Sequence, residues 1–312
     1  MRYGQNPLKA VEQVDPPSDV TVVVISYIPF LAGYYEESLN VLKYCLQSLT
    51  QTNEGQFDLM VFDNASCPEV RDFLSDEHEA GRIQMLFLSD RNLGKSGAWN
   101  VALSAAPGET IVYADSDVRF FPGWLDGHMD ILNSFPNVGM LTGMPVLTNR
   151  ESSKATFDWA KSSKIQSEAG QLISWEDHWR HVGTLGETEE EARKVYEQYS
   201  TTQLEINASK AFVGAEHFQF ATRKSVLNQI LPLPANRPMG RVNLLDQAVN
   251  ELGYLRLNTP EWYVEHIGNS LAENAATKVI SSTPRKSIWQ TWLFRKILYR
   301  IYTLVFRLLF RR

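Results

Sequence analysis

The chain has 312 residues, of which 44% are hydrophobic and 21% charged, an ordinary globular composition that suffices for one large domain or two small ones. Residues 285–312 contain eight basic residues and no acid, which leaves 22 basic and 36 acidic residues, a net charge of −14, in the rest. An acidic body argues against nonspecific binding to nucleic acid. Two cysteines, Cys45 and Cys67, exclude a disulfide framework and indicate a reducing compartment.

Residues 1–19 are polar and contain three prolines, so we expect a loose lead-in and no signal peptide there. Four short apolar runs follow, and they predict strands over residues 20–26, 57–62, 85–88 and 110–114. The first run suits a central strand that is buried on both faces. Helical patterns lie between the runs, so we expect right-handed crossovers and a mainly parallel α/β sheet.

The middle of the chain has a different character. Residues 149–207 are polar and charged, and residues 187–199 predict a solvated helix with its acids near the N-terminus, where the helix dipole favours them. We expect this block to be an insertion, either a lid beside the site or a surface elaboration. A second apolar stretch begins at Ala211, and residues 252–257 and 262–267 are predicted to be the closing strands of the same domain.

Asp115 and Asp117 come directly after the predicted strand 110–114. At the carboxyl end of a strand, both carboxylates face the crevice in which open α/β sheets bind ligands. Carboxylate oxygens are hard ligands suited to Mg²⁺ or Mn²⁺, usually alongside substrate phosphates. A solvated turn after a strand has the same pattern, so the motif alone is weak evidence for a metal site.

Polar groups follow the other predicted strands too, with Tyr27 after the first and Asp63 after the second. The segment 91–100 lies between them and the acidic pair. Its glycines allow close approach of the backbone, and Lys95 offers a cation for phosphate. The segment has neither the Walker nor the Rossmann spacing of glycines, so we expect any bound phosphates to be held mainly through a metal.

Together these segments resemble the inverting family 2 glycosyltransferases of the GT-A fold. The resemblance covers residues 20–147 and rests on VTVVVISY, VFDNAS, RNLGKSGAWNVAL and IVYADSDVRFFPGWL, which occur in the family's order and spacing. It implies a GT-A fold and the transfer of a sugar, with inversion, from a nucleotide-sugar to a hydroxyl. Residues 211–270 match the family less well.

The resemblance implies roles for the residues on the donor side. Asp63 would contact the base or ribose of the nucleotide, and Tyr27 would lie beside the base. Lys95 matches a position near the diphosphate, and Asn92 is a further donor-binding candidate. The plainer alternatives are helix capping or turn formation by Asp63 and a solvated loop around Lys95.

The resemblance also implies a site for Mn²⁺ or Mg²⁺. Asp117 would bind the metal directly, whereas Asp115 would face the ribose or a metal-bound water. His266 follows an apolar strand and resembles the late histidine of many GT-A enzymes, which contacts the metal or the diphosphate. A neutral imidazole is a reasonable ligand for Mn²⁺, and a structural role is the alternative for His266.

The family's catalytic base is usually the Asp of a Glu-Asp pair before a helix, and this chain lacks that pair. Asp246 lies at the predicted start of a helix that ends near Gly253, so the resemblance implies Asp246 as the base, with helix capping as its alternative role. Segment 213–218 resembles the strand that lines the sugar and acceptor pocket. Glu216 and His217 are therefore candidate acceptor-binding residues, and Glu216 is the second candidate for the base.

Residues 289–310 are rich in aliphatic and aromatic side chains, but charges interrupt them too often for a membrane-spanning helix, which needs ~20 predominantly apolar residues. At about 100° per residue, Lys296, Arg300, Arg307 and Arg311 fall on one stripe, and the other faces are largely apolar. This pattern predicts a helix that lies in the membrane interface, attracted to anionic lipid. A helix docked on the body or on a second subunit is the alternative.

The sequence therefore predicts a single GT-A domain with a nucleotide-sugar-binding half (20–147), an insertion or lid (148–210), an acceptor-binding half (211–284) and a basic amphipathic helix (285–312). The predicted function is metal-dependent, inverting glycosyl transfer to a glycan or lipid-linked acceptor at the inner face of the membrane, in cell-surface glycan assembly. One alternative is a nucleotidyltransferase on a related fold, although residues 27–34 lack the basic triphosphate loop it needs. The other is a non-catalytic scaffold that binds glycan or membrane.

Overall fold

The structure is a computed structural model that describes residues 6, 9, 13–52 and 56–271. The amphipathic helix predicted over residues 285–312 lies outside the described residues, as do parts of the predicted lead-in. Among the helices that the structure describes, none combines the length and the apolar character needed to cross a membrane.

Strands and helices alternate through most of the described chain. The strands are β1 (Val20–Ser26), β2 (Asp58–Asn64), β3 (Met85–Ser89), β4 (Thr110–Asp115), β5 (Val118–Phe120), β6 (Val138–Thr142), β7 (Gln166–Gly170), β8 (Thr201–Ile206), β9 (Ser209–Val213), β10 (Gln219–Arg223), β11 (Leu255–Asn258) and β12 (Val264–His266). The helices are α1 (Ser38–Thr52), α2 (Pro68–Glu79), α3 (Gly94–Ala105), α4 (Trp124–Ser134), α5 (Lys154–Ser162), α6 (Trp175–Val182), α7 (Glu189–Gln198), α8 (Lys224–Ile230) and α9 (Asn243–Glu251).

The main sheet has the strand order β3-β2-β1-β4-β10-β6-β11-β9-β8-β7. β1 pairs in parallel with β2 and β4, and β2 pairs in parallel with β3. β10 lies antiparallel between β4 and β6, so β6 runs in the same direction as β4, and β11 is parallel to β6. The predicted α/β fold with a mainly parallel central sheet is confirmed.

β1 is buried along its whole length, as its β-branched run predicts. Because successive side chains of a strand point to opposite faces, Val22 and Val24 pack in the core that contains α1, whereas Val23 packs with Trp99 of α3 on the other face. Each fully buried Val or Leu side chain stabilises the fold by about 1.5–3 kcal/mol. This two-sided burial keeps the sheet rigid beneath the polar strand ends.

β12 does not join the main sheet, although residues 262–267 were predicted to close the domain. It pairs antiparallel with β5 in a separate two-stranded sheet, in which His266 is opposite Val118. The backbone N–H of Ile267 donates to the carbonyl of Asp117 at 2.8 Å. This small sheet therefore brings the late histidine beside the acidic pair.

The predicted insertion, residues 148–210, adds strands to the main sheet at the end of its strand order, beside β9. β7 pairs with β8, and β8 pairs with β9, so this segment supplies the outer strands of the sheet. The helix predicted over residues 187–199 is α7, which begins at a capping box formed by Thr188 and Glu191. The boundaries of the insertion at residues 148 and 210 stay a prediction.

Candidate active site

The carboxyl ends of three parallel strands meet at one edge of the main sheet, as the sequence predicts. In the register of the sheet, Ile25 of β1 is opposite Asp115 of β4, and Ser26 is opposite Asp63 of β2. Tyr27 comes directly after β1 and therefore lies at the same edge. This is the edge at which open α/β sheets bind ligands.

The Asp63 side chain is fully buried and stabilises the turn after β2. Its Oδ1 accepts a hydrogen bond from Ser26 Oγ at 3.0 Å, and its Oδ2 accepts one from the backbone N–H of Ser66 at 3.1 Å. Arg71 Nε lies 3.9 Å from Oδ2. The carboxylate thus forms the turn, which was the alternative role considered for it, and its contact with a nucleotide stays a prediction.

Asn92 connects the segment after β3 to the end of β2. Its Oδ1 accepts hydrogen bonds from Asn64 Nδ2 at 3.1 Å and from the backbone N–H of Gly94 at 2.8 Å, and the backbone N–H of Leu93 donates to Asn64 Oδ1 at 2.8 Å. Asn92 itself is exposed, and Tyr27 is half-buried. Both side chains remain accessible at the strand edge for the predicted donor contacts.

The close backbone approach at Gly94 is to another part of the chain. A Cβ on Gly94 would lie 2.6 Å from the carbonyl oxygen of Arg237, and the Gly94 φ of +70° is in the left-handed region that favours glycine. The backbone N–H of Lys95 donates to the carbonyl of Pro238 at 2.8 Å. The start of α3 is therefore occupied by the segment around residue 238.

Lys95 and Asp115 form an ion pair at this edge, with 2.6 Å between Lys95 Nζ and Asp115 Oδ2. The Tyr113 hydroxyl donates to the other oxygen of Asp115. Burial raises the pKa of Tyr113, and the charge of Asp115 raises it further, so the phenol stays protonated and keeps donating. Both oxygens of Asp115 thus have partners within the protein.

Asp117 and His266 form a second pair, with 3.3 Å between Asp117 Oδ2 and His266 Nε2. Burial alone would raise the pKa of Asp117, but the hydrogen bond and charge of His266, together with Lys95, lower it. Burial opposes the charged imidazole, yet Asp117 raises the pKa of His266 above its ordinary value. Within the described residues, Asp117 Oδ1 is buried and has no hydrogen-bond partner.

The residues at this edge fit a divalent cation whose remaining ligands would come from water and from the substrate. In the part of the chain that the structure describes, no three His, Cys, Asp or Glu side chains form a group able to hold a metal by themselves. Asp117 and His266 supply one open carboxylate oxygen and one imidazole. Mg²⁺ is commonly bound by one or two carboxylates plus waters and substrate phosphates, so two protein ligands are sufficient.

His266 is oriented by a residue that the sequence did not indicate. Thr184, in the turn after α6, lies with its Oγ1 2.8 Å from His266 Nδ1. A hydrogen bond donated by Nδ1 to Thr184 makes Nε2, which faces Asp117, the nitrogen that could bind a metal. A partner of this kind depends on tertiary contact over 82 residues, so no local pattern reveals it.

Asp246 lies in the first turn of α9, inside the helix. Val242 is the residue at the N-cap, and it makes no side-chain capping hydrogen bond, so the capping role considered for Asp246 is wrong. Asp246 Oδ1 accepts from Arg256 Nη2 at 2.8 Å, and its Oδ2 lies 3.2 Å from His217 Nδ1. Arg256 is buried in β11, where a charge between two leucines was a signal that could have been found.

Residues 214–218 form the connection between β9 and β10, which corrects the prediction of a strand over residues 213–218. Glu216, His217 and Asp246 line one cavity of about 210 Å³. Burial raises the pKa of Glu216, while the charge of His217 opposes this effect and the charge of Asp246 adds to it. Among the described residues, the Glu216 carboxylate has no hydrogen-bond or ion-pair partner.

The same connection joins the two halves of the site. The backbone N–H of Asp115 donates to the carbonyl of Phe218 at 2.8 Å, and the Phe218 ring lies 5.6 Å from the His266 ring. Glu216 and His217 lie next to Phe218 in the chain and line the 210 Å³ cavity. One short segment thus contacts His266 of the Asp117–His266 pair and also lines the cavity that contains the carboxylates.

A larger cavity, of about 810 Å³, also has Glu216 in its wall. The predicted insertion builds most of its other walls, through α6, α7 and the segments beside them. His178 and His181 of α6 line this cavity, and neither was indicated by the sequence. Burial, aided by the charges of His266 and His178, lowers the pKa of His181 to about 3.

Comparison with known proteins identifies relatives over parts of this chain. Residues 33–169 match the model of the family described as glycosyl transferase family 2. An uncharacterized glycosyltransferase of Nostoc sp. is 21% identical over 156 residues, which are 49% of this chain and 45% of that protein. The chain thus spans about half the length of this curated relative.

Two solved structures are similar to this chain. GalNAc-T7, solved with UDP, GalNAc and Mn²⁺, aligns over 86% of this chain and 47% of that chain, with a TM-score of 0.52 and 12% identity. The mannosyltransferase PcManGT from Pyrobaculum calidifontis, solved with GDP-Man and Mn²⁺, aligns over 79% of this chain and 56% of that chain, with a TM-score of 0.44 and 17% identity. The resemblance predicted from the sequence is confirmed, because residues 33–169 match glycosyl transferase family 2 and the chain has the GT-A fold.

Proposed function

We propose that this protein is an inverting glycosyltransferase that uses a divalent cation, a nucleotide-sugar donor and a hydroxyl acceptor. One observation carries the proposal: residues 214–218 connect the Asp117–His266 pair to a cavity lined by two carboxylates, Glu216 and Asp246. Inverting transfer needs a group that stabilises the leaving diphosphate on one side of the sugar and a base for the acceptor hydroxyl on the other side. The family match and the UDP and Mn²⁺ in the GalNAc-T7 structure support the donor and the cation.

The donor side of the site would stabilise the departing nucleoside diphosphate. A bound Mn²⁺ or Mg²⁺ would supply Lewis-acid stabilisation of the charge that develops on the diphosphate. Asp117 and His266 would hold the cation, and Lys95 would contribute a preorganised positive charge. Asp115 keeps Lys95 in place through the 2.6 Å ion pair, so the ammonium costs no reorganisation during the reaction. Tyr27, Asp63 and Asn92 are the further donor contacts proposed.

The acceptor side would remove the proton of the attacking hydroxyl. The carboxylate of Asp246 is the base that the family pattern implies, but its two oxygens already face Arg256 and His217. Glu216 has no such partner in the described residues, and burial raises its pKa toward the range in which a general base is most effective. These two facts support Glu216 as the base, with Asp246 and His217 binding the acceptor beside it.

The reaction would then be a single displacement. The acceptor oxygen attacks the anomeric carbon from the face opposite the diphosphate, its proton moves to the Glu216 carboxylate, and the bond to the diphosphate breaks. The configuration at the anomeric carbon is inverted because one displacement occurs.

The experiment is to incubate the full-length protein with a panel of UDP-, GDP- and dTDP-sugars and to measure nucleoside diphosphate release with Mn²⁺ and with EDTA. We expect at least one donor to be cleaved only with Mn²⁺, and a detected glycoside product to show the inverted anomer. Formation of nucleotide-sugars from nucleoside triphosphates and sugar phosphates would instead identify a nucleotidyltransferase. A protein that neither binds nor cleaves any donor would contradict the proposal.

We also propose that residues 285–312 attach the protein to the inner face of the membrane. The support is the sequence pattern, in which a basic stripe interrupts a largely apolar segment, and these residues lie outside the described part of the chain. We expect the full-length protein to sediment with vesicles that contain anionic lipid and much less with neutral vesicles. Equal sedimentation after truncation at residue 284 would contradict this role.

A further inference from the structure

The 810 Å³ cavity adjoins the small cavity that the proposed chemistry uses, and the two share Leu147, Asn149 and Glu216 in their walls. Its volume is within the range of about 300–1,000 Å³ that is typical of pockets for small molecules. The inserted segment forms most of the cavity wall, so this segment and not the main sheet determines the shape of the cavity. The inference drawn from it rests on the proposed function.

Exposed apolar side chains are grouped around this cavity. Leu185, Val195 and Tyr199 line it, and they are 53%, 44% and 46% exposed, respectively. Ile173 and Val182 form part of the wall beside them. Apolar side chains scattered singly over a surface are ordinary, but a group of them around a concavity marks a ligand-binding surface. Such a surface suits a ligand that has an apolar face or an apolar substituent.

Two buried histidines supply polar atoms to the same cavity. His178 and His181 are each 8% exposed, and both line the cavity. His178 Nε2 and His181 Nδ1 are buried without a hydrogen-bond partner among the described residues. A buried polar atom without a partner is costly, and a ligand hydroxyl that reaches it would remove that cost.

The charges of the cavity argue against an anionic ligand. Glu216 contributes a carboxyl group to the wall, and burial lowers the pKa of His178, which favours its neutral form. Arg150 and Glu151 line the cavity as exposed neighbours of opposite charge, so together they add no net charge. A phosphate or carboxylate would meet more negative than positive charge here.

We propose that this cavity extends the acceptor site beyond the small cavity and that it takes an uncharged glycoside with an apolar aglycone or an apolar sugar face. The sugar hydroxyls would meet Glu216 and the histidines of α6, and the apolar part would lie against Leu185, Val195 and Tyr199. The reacting hydroxyl would thereby be held beside Glu216, a group that the cavity shares with the site of transfer.

The test is binding of 4-nitrophenyl glycosides to the full-length protein, measured by titration calorimetry without nucleotide or metal. Val195→Trp would fill the cavity from α7. We expect it to weaken binding at least about tenfold, because the apolar part of the ligand would no longer bury its surface there. Val101→Trp is the matched control, because Val101 is also a helical valine, 41% exposed against 44% for Val195, and it lies outside this cavity. We expect Val101→Trp to bind like the wild type.

His178→Phe tests the polar part of the site. The phenyl ring can keep the contacts that His178 makes with Trp175 and Tyr196, whose ring centroids are 5.9 and 5.6 Å away, but it has no ring nitrogen. We expect this variant to bind the glycosides more weakly and to retain the wild-type melting temperature. Unchanged binding by His178→Phe would show that the ring nitrogen of His178 does not contact the ligand.

Three outcomes would overturn the inference. They are the absence of binding to every glycoside, equal binding by the two tryptophan variants, and tighter binding of 4-nitrophenyl phosphate than of the neutral glycosides. Because no donor or metal is present, such a result together with intact Mn²⁺-dependent donor cleavage overturns this inference alone. Loss of donor cleavage with intact glycoside binding would overturn the proposed function instead.

Discussion

Asp115 and Asp117 are two residues apart, yet their carboxylates have different surroundings. Asp115 contacts Lys95 and Tyr113, so both of its oxygens have partners. Asp117 contacts His266 through one oxygen, and its other oxygen is buried without a partner in the described structure. An unpartnered buried carboxylate oxygen costs roughly 1–3 kcal/mol or more, which a bound cation would offset. These surroundings favour Asp117 over Asp115 for the proposed metal role, which stays a prediction.

The choice of base can be tested by comparing Glu216→Gln with Asp246→Asn. We expect Glu216→Gln to lower kcat by about 10²–10⁴-fold, because an amide cannot accept the acceptor's proton, with little change in donor affinity. Asp246→Asn should mainly raise the KM for the acceptor. Steady-state kinetics with the identified donor measure both effects. If Asp246→Asn abolishes turnover while Glu216→Gln does not, Asp246 is the base.

The pH dependence of stability follows from the environment of Glu216. Since burial raises its pKa in the folded protein, the folded state holds this proton more tightly than the unfolded state does. The wild type therefore loses stability relative to Glu216→Gln as pH rises from the ordinary pKa of a glutamate to the raised value. Urea unfolding at several pH values measures this difference. A difference that does not grow with pH would contradict the burial of this carboxyl.

At the scale of elements, α6 of the inserted segment is attached to the small sheet that carries His266. Trp262 Nε1 donates to Asp177 Oδ1 at 2.9 Å, and the Arg180 guanidinium lies 4.2 Å from the Trp262 ring centroid. The turn after α6 places Thr184 against His266. The same helix lines the proposed acceptor cavity, so one element contacts both the acceptor side and the metal side.

Thr184→Val tests this connection. Valine keeps the shape of threonine and removes the hydroxyl, so His266 loses the partner that selects its tautomer. We expect the affinity for Mn²⁺ to fall about 10–100-fold, the usual effect of losing such an outer partner. Thr184→Ser is the control and should restore most of the affinity. Mn²⁺ titration followed by electron paramagnetic resonance gives the result, and equal affinity in all three proteins would limit Thr184 to a structural contact.

Arg256 connects three other segments of the chain from inside the sheet. Its guanidinium donates to the carbonyl of Ala215 at 2.6 Å, to Asp246 Oδ1 at 2.8 Å and to the carbonyl of Ser152 at 2.9 Å. Arg256→Met leaves a largely buried carboxylate without its counter-charge, which should cost about 3–5 kcal/mol in urea unfolding. Adding Asp246→Asn to this variant should recover part of the loss. Additive losses would show that the two charges do not interact.

At the scale of the whole molecule, local patterns predicted the elements better than their partners. The β-branched run of β1 could be assigned because burial on both faces leaves no polar alternation. The pairing of β12 with β5 and the joining of β7 and β8 to the main sheet involve residues far apart in sequence, which no local pattern encodes. The same holds for the site: local patterns indicated the residues at the strand ends, but they did not indicate Thr184, His178 and His181, which the tertiary fold brings to the site.

The central claim is that Asp117 and His266 hold a cation through which the donor binds. The most direct measurement is titration calorimetry of UDP and GDP onto the full-length protein, with Mn²⁺ and with EDTA, for the wild type and for Asp117→Asn. We predict that at least one nucleotide binds the wild type only with Mn²⁺ and that Asp117→Asn, though folded, loses this binding. Nucleotide binding that is unaffected by EDTA or by Asp117→Asn would contradict the claim.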